Sequence, residues 1–282
     1  MRYLPPSSFG SSSGRNVEAH LAADLAGGRT TLRRQHVGYP LHITRGFHLD
    51  AARPDLLTLY LQSASGGLYA GDRISLEIVV DKGAAIHVTT QASAVVHDGR
   101  CAGSRQRQSL TVHSGGFCAI ASDPYVLFPG ADLRLETVAT VAEDAVLFLA
   151  DGFAIHDPQG AGRTFAHFAS RQRILRPDGR LLLQDLGRIE GDALRSGALG
   201  SVTATATVLL IAPADRLPVQ RAFEQAAERC GCLAGVSPTP NGAGQVMRLL
   251  APDGGTLGRG MEAAFHVAAA AALGTEIVRR RK

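Results

Sequence analysis

The chain has 282 residues, 45% hydrophobic and 19% charged, which is enough to bury a large core in one or two domains and excludes a disordered chain. Trp is absent and aromatic residues make up only 5%, so the core must rest on Leu, Val, Ile, Ala and Phe. The net charge of +4 lies largely in Arg279-Arg280-Arg281-Lys282, and without interleaved aromatic residues that end reads as solvated, not as a nucleic-acid arm.

Residues 1–16 read as a disordered tail rich in Ser, Pro and Gly. They lack the apolar centre of a secretory signal. Gly10-Ser11-Ser12-Ser13-Gly14 fits the G-x-S-x-G pattern of a nucleophile elbow, but that motif needs a strand before it and a helix after it, so it is rejected. A single β-rich domain is expected over 17–282. Val17, Ala19, Leu21, Ala23 and Leu25 alternate with mostly polar residues, Gly27-Gly28 turns the chain, and further strands begin near Thr30 and after Gln35. Two more alternating runs, Leu56 to Leu61 and Arg73 to Val80, flank Gly66-Gly67-Leu68-Tyr69-Ala70-Gly71-Asp72. This glycine corner is either a tight bend or a device that presents Asp72.

The middle of the chain repeats a strand, a turn, an apolar strand and a polar interruption. The copies run from Ile74 to Gln91, Gln106 to Asp123 and Leu133 to Asp151, with a looser fourth from Phe165 through Pro177-Asp178-Gly179 to Asp185. A period of about 30 residues fits β layers stacked as a solenoid, and also an ordinary meander sandwich. Gln91, Asp123, Asp151 and Asp185 either form a column in such a stack or simply end their strands. Ser201 to Ile211 is another strand. Helices are expected near 217–230, with Phe223, Ala226, Ala227 and Cys230 at helical spacing, and near 260–281; Val246 to Leu250 lies between them as a strand. Val267 to Leu273 is too short to span a membrane. The expected fold class is mainly all-β, in stacked layers with one or two C-terminal helices; no strand–helix alternation indicates a parallel α/β sheet.

Cys101, Cys118, Cys230 and Cys232 include no Cys-x-x-Cys pair, which removes a zinc finger and favours a reduced, cytoplasmic setting. The glycine corner precedes a strand and lacks Gly-Lys-Ser/Thr, so it is not a phosphate loop. No nucleophile stands with its base. The chemistry on offer is Asp72, His97, Asp123, Asp151 and His156, carboxylates and imidazoles of the kind that hold a divalent first-row ion such as nickel. His87 is a further scattered imidazole.

Several blocks, in order, resemble the UreD (UreH) urease accessory proteins: Gly66 to Asp72 as GGL-x-x-GD, Thr89-Thr90-Gln91-Ala92 as TTQA, Arg105 to Gln108, Gly115-Gly116, and Val126-Leu127-Phe128-Pro129-Gly130-Ala131. The likeness covers about 17–190 and thins beyond. It departs at Ala94-Val95-Val96, Ser122 to Tyr125 and Ala154 to Asp157. The motif positions carried over are Gly66, Gly67, Gly71, Asp72, Thr89, Thr90 and Gln91. The resemblance implies a β-helix-like fold and a scaffold that is not an enzyme. Such a scaffold binds urease apoprotein and UreF, reaches the GTPase UreG through UreF, and helps nickel to the urease active site. Nickel would be held only transiently, and GTP would belong to the partner GTPase; no nucleic acid or membrane is involved. Two other readings stay open: a carboxylate/histidine metal-dependent hydrolase, which needs several of the five candidate ligands to converge on one ion, and a structural β-solenoid.

Overall fold

The computed structural model describes residues 14–100, 102–196 and 202–279. The chain begins with a hairpin of β1 (Asn16–Ala26) and β2 (Arg29–Val37), followed by β3 (Leu41–Ile43) and β4 (Leu56–Ser63). It then winds in coils. In the first, β5 (Arg73–Val80) leads to β6 (Ala85–Thr90) and the short β7 (Val95–Val96). In the second, β8 (Ser104–Val112) leads to β9 (Phe117–Ala121) and β10 (Tyr125–Leu127). In the third, β11 (Asp132–Val141) leads to β12 (Val146–Ile155). The rest is β13 (His167–Leu175), β14 (Leu181–Glu190), α1 (Gly191–Ser196), β15 (Ala204–Ile211), α2 (Gln220–Glu228), β16 (Leu233–Pro238), β17 (Gly244–Ala251) and α3 (Gly254–Leu273).

Period-two patterning decides which face each strand buries. In β5, Ile74, Leu76, Ile78 and Val80 face inward while Arg73, Ser75 and Glu77 face water. Two sheets result. The first runs β14-β13-β11-β8-β5-β1-β2; the second runs β16-β17-β15-β12-β9-β6-β4-β3, with β10 and β7 continuing from the end of β12. Coil-to-coil pairing is parallel in both. Leu68, Val96, Leu127 and Ile155 align as a narrow third ladder. Each circuit therefore has three faces, and the stack is the β-helix-like arrangement that the repeat predicts.

Coil turns bond within themselves, as in Gly116 N–H to His113 O at 2.9 Å, and also to the neighbouring coil: the Gly83 N–H donates to Ser114 O at 3.0 Å, and Val146 N–H to Gly116 O at 2.9 Å. Three apolar regions follow from this layering. One lies between the sheets around Leu21, Ile78, Ile86, Leu110 and Leu147. A second lies behind the third ladder around Leu133, Phe153 and Phe168. The third lies between the second sheet and the helices, where Phe265, Ala268 and Ala269 of α3 and Phe223 of α2 cover Phe148, Val208, Leu210 and Met247.

Four sequence expectations need adjustment. The boundary at 16 falls inside the folded part, because Arg15 is bonded to Asp72 and Asn16 opens β1; residues 1–13 lie outside the described residues. The looser fourth repeat is not a coil. Arg176 N–H donates to Arg180 O at 2.9 Å, closing a hairpin, so β14 returns antiparallel in the first sheet and never crosses to the second. The last helix starts earlier than 260 and ends at Leu273: Asp253 caps Thr256 N–H at 2.7 Å, and Gly274, at φ 71°, stops it. Arg279, within the expected span, falls beyond the helix, and 280–282 lie outside the described residues. Finally, β16, which pairs antiparallel with β17, lies in a stretch where no strand was expected.

Candidate functional site

The glycine corner joins β4 to β5 at one end of the stack. Gly67 has φ 130° and lies against the Val95 carbonyl, which accepts from Leu68 N–H at 2.8 Å; a side chain at 67 would run into that oxygen. Gly71, at φ 79°, passes Gly14 in close contact. These two glycines let the corner lie flat on the next coil and on the incoming chain.

Asp72 is 2% exposed, and all its acceptor capacity is used. Oδ1 accepts from the Arg15 backbone N–H at 2.9 Å and from Arg15 Nε at 3.1 Å; Oδ2 accepts from Tyr69 N–H at 2.9 Å and forms a close ion pair with Arg15 Nη2. Burial pushes the Asp72 carboxyl up, but the donors from Arg15 and Tyr69 outweigh it and hold it below its ordinary value. The Arg15 guanidinium also donates to Gly67 O at 3.0 Å and lies over the Tyr69 ring, 5.2 Å from its centroid. Asp72 thus fastens the first strand to the corner. A metal ion would have to displace Arg15 to reach it.

The Thr89-Thr90-Gln91 segment ties coils together. Thr89, fully buried, donates to Ala121 O at 2.7 Å. Thr90 Oγ1 donates to Asp123 Oδ2 at 2.9 Å and accepts from Asp123 N–H at 2.8 Å. Gln91 meets Gln62 of the neighbouring strand. Beside these groups opens a cavity of about 360 Å³, lined by Arg15, Leu61, Gln62, Gln106, Asp123 and Tyr125 among others.

From that cavity a layer of polar side chains crosses the space between the sheets. On the first sheet, Gln108, Thr137, Gln172 and Asp185 stand in register on successive strands, with Gln106 and Ser170 one inward position nearer the third ladder. On the second sheet, Asp151, Thr207 and Arg248 stand in register, and Thr90 and Ser122 extend that row on the neighbouring coils. Cross-links join the two: Tyr125 Oη donates to Gln106 Oε1 at 2.5 Å, Gln172 Nε2 and Ser170 Oγ donate to Asp151 Oδ2 at 2.8 and 3.2 Å, and Arg248 pairs with Asp185. Apolar core flanks the layer on both sides, with Leu149 and Ile174 on one and Phe153 and Phe168 on the other.

Burial pushes the Asp151 carboxyl up; bonds from Gln172 and Ser170 oppose the rise and nearby Asp185 adds to it, leaving the pKa raised. Burial likewise raises the Tyr125 phenol. Gln172, 1% exposed, spends its amide N–H on Asp151, and its Oε1 accepts no hydrogen bond. The layer therefore holds a carboxyl group and a spare amide oxygen, hard oxygen donors of the kind that can meet a hydrated divalent ion. Cys118, enclosed in the apolar core, has its thiol pushed up to about 12 and offers no thiolate.

The five candidate ligands do not converge. Asp72 is committed to Arg15, Asp123 to Thr90, and Asp151 to Gln172 and Ser170. His97 and His156 belong to an outward spine on the third face, where Tyr69 stacks on His97 at 4.5 Å and Phe128 stands 5.5 Å from both imidazoles. Among the described residues no group of three or more His, Cys, Asp and Glu side chains could hold a metal ion. The hydrolase reading, which needs that convergence, is set aside. Gln91 and Asp123 each follow the last residues paired between β6 and β9 by two positions, but Asp151 follows its paired Ala150 by one and Asp185 lies on the other sheet. A one-residue offset turns a side chain to the opposite face, so Asp151 points inward. Sequence reasoning passed over Arg15, Tyr125, Gln106, Gln172 and Arg248; the alternation of Gln106-Gln108 within an inward-facing series was the one visible sign of a polar layer.

Comparisons with known proteins agree with one another. The sequence model of the family described as UreD urease accessory protein matches residues 15–282. The chain is 66% identical over 278 residues to urease accessory protein UreD 3 of Bradyrhizobium sp. (strain ORS 278), covering 99% of each chain. It is 46% identical over 272 residues to urease accessory protein UreD 1 of Methylorubrum extorquens (strain PA1), covering 95% of this chain and 92% of that one. With urease accessory protein UreD 1 of Pseudomonas syringae pv. syringae (strain B728a) it shares 30% identity over 243 residues, covering 83% of this chain and 85% of the relative.

Proposed function

This chain belongs to the UreD family of urease accessory proteins and so has a role in urease maturation, and from that premise we propose that it acts as a non-catalytic scaffold that guides nickel. It binds urease apoprotein and UreF, engages the GTPase UreG through UreF, and lets nickel move along the polar layer between its sheets. The observation that carries this reading is the Asp151 carboxylate beside the donor-free Gln172 Oε1, set between two apolar regions and continued by polar groups toward both sides. A chain selected for stability alone has little reason to split its core with a half-buried carboxyl group. Few ligands at any one point suit transfer, because a complete coordination shell would retain the ion. Asp72, His97, Asp123 and His156 then serve at the edges of the route, in its framework or on partner-facing surface.

The test replaces Asp151 with Asn, which keeps the shape and removes the charge. Urease matured with Asp151→Asn is expected to contain less nickel and to show lower activity, while the variant still co-purifies with urease apoprotein and UreF. Normal nickel content would overturn the route through the layer. Unimpaired urease activation in a strain lacking this chain, with no second copy present, would overturn the maturation role in that host.

A further inference from the structure

The outward face of the first sheet carries an arginine ladder that the nickel reading does not use. Arg73, Arg105 and Arg134 are in register on three adjacent parallel strands. One outward position along, Arg107 and Arg171 flank Glu136 in the next row, and Arg188 stands opposite Ala169 at the end of the first. All six arginines are exposed and line a groove of about 670 Å³. Asp132 stands 3.6 Å from Arg134, and Glu190 3.2 Å from Arg188. Among the described residues no acid forms an ion pair with Arg73, Arg105 or Arg107.

Like charges facing each other on neighbouring strands are destabilising. Strand spacing of about 4.8 Å puts three guanidinium stems side by side with little freedom to separate. Asp132 and Glu190 offset part of that repulsion at Arg134 and Arg188, and Glu136 lies in register between Arg107 and Arg171, but among the described residues Arg73, Arg105 and Arg107 have no ion-pair partner, so the ladder is set up for further negative charge supplied from outside. Guanidinium groups engage carboxylates in paired, directional hydrogen bonds, and arginine is enriched at protein interfaces. Leu186, 63% exposed beside Arg171 in the second row, adds an apolar contact. The groove has no Phe, Tyr or Trp on which a base could stack.

We propose that this groove is a docking surface for an acidic protein segment whose Asp and Glu side chains pair with Arg73, Arg105, Arg107 and Arg134. The argument rests on sheet register and charge, and stands whether or not nickel crosses the interior.

The test uses the full chain and measures fluorescence anisotropy with a labelled Glu-rich helical peptide, in parallel with a single-stranded oligonucleotide of equal charge. Arg105→Glu with Arg134→Glu is compared with Arg29→Glu with Arg34→Glu, exposed edge arginines on β2 that give the same change in net charge. The ladder pair is expected to weaken peptide binding at least about tenfold and the edge pair less than about twofold, with affinity falling as salt rises. Equal losses in the two pairs, or no peptide binding by the unaltered chain, would overturn the proposal. Tighter oligonucleotide binding through the same arginines would overturn it in favour of a nucleic-acid surface. Arg105→Ser with Arg134→Ser should melt no lower than the unaltered chain; a lower melting temperature with peptide binding intact would return the ladder to a structural role.

Discussion

At the scale of single residues, buried Asp72 and half-buried Asp151 contribute with opposite sign. Asp72 has its pKa lowered, chiefly by Arg15 against the opposing effect of burial. Its contribution is therefore present above the ordinary carboxylate value, about 3.9, and is lost as pH falls through the lower folded value. Asp72→Asn should destabilise the chain at pH 7 by about 1.5–3 kcal/mol, the range for hydrogen bonds to a charged group, kept modest because the Arg15 side chain retains 30% exposure and can be hydrated. Urea unfolding checks this, and below pH 4 the difference should narrow. Asp151 has its pKa raised, first by burial. The folded state then binds the proton more tightly than the unfolded chain, so stability declines as pH rises from the ordinary carboxylate value through the folded one. Asp151→Asn should accordingly be as stable as the unaltered chain or more so at pH 7, and lose that advantage near pH 3. An equal loss of stability at both pH values would mean that the carboxylate is structural.

At the scale of elements, the coils were legible because apolar alternation and glycine turns are local signals. The pattern from Ile74 to Val80, the turn at Gly83 and the run from Ala85 follow one another within a few residues, and each coil copies them. The partner of Asp72 was not legible. Arg15 lies 57 positions away in a stretch whose composition reads as tail. Nor was the inward turn of Asp151, because its register is fixed by strand pairing with β9 and β15, and no spacing along the chain reports it. The last helix was misplaced because Gly254, Gly255 and Gly258 look like helix breakers. Gly254 lies against Ala154 of β12, and Gly260 against Cys232 just before β16, so glycine there lets α3 approach the second sheet and the connection after α2 closely. That approach buries Phe265 against Phe148, with ring centroids 5.2 Å apart. Phe265→Ala should destabilise the chain by about 3–5 kcal/mol through the cavity it leaves, and Asp253→Ala by about 1 kcal/mol through loss of the cap; thermal unfolding of both variants would rank them in that order.

At the scale of the whole molecule, the question is why a stack with ample apolar surface keeps a polar layer through its middle. A solenoid can run hydrophobic residues unbroken along its inward positions, as Ile78, Leu110, Ala139 and Ile174 do here on the first sheet. Two positions along, that row becomes Leu76, Gln108, Thr137 and Gln172, and on the opposing strand Leu149 gives way to Asp151. Replacing a buried ionic or polar cluster by apolar side chains of similar volume is often neutral or stabilising by about 1–4 kcal/mol. Asp151→Leu combined with Gln172→Leu removes the carboxyl together with its Gln172 donor, and leaves only the Ser170 hydroxyl, at 3.2 Å the longer of the carboxyl's two side-chain donors, to find another acceptor. The double variant should melt at the same temperature as the unaltered chain or higher, still assemble with urease apoprotein, and yield urease poor in nickel. A structural layer predicts the reverse: a large fall in melting temperature and, for whatever chain remains folded, urease with its full nickel content. The two outcomes separate a core divided for stability from one divided for transport.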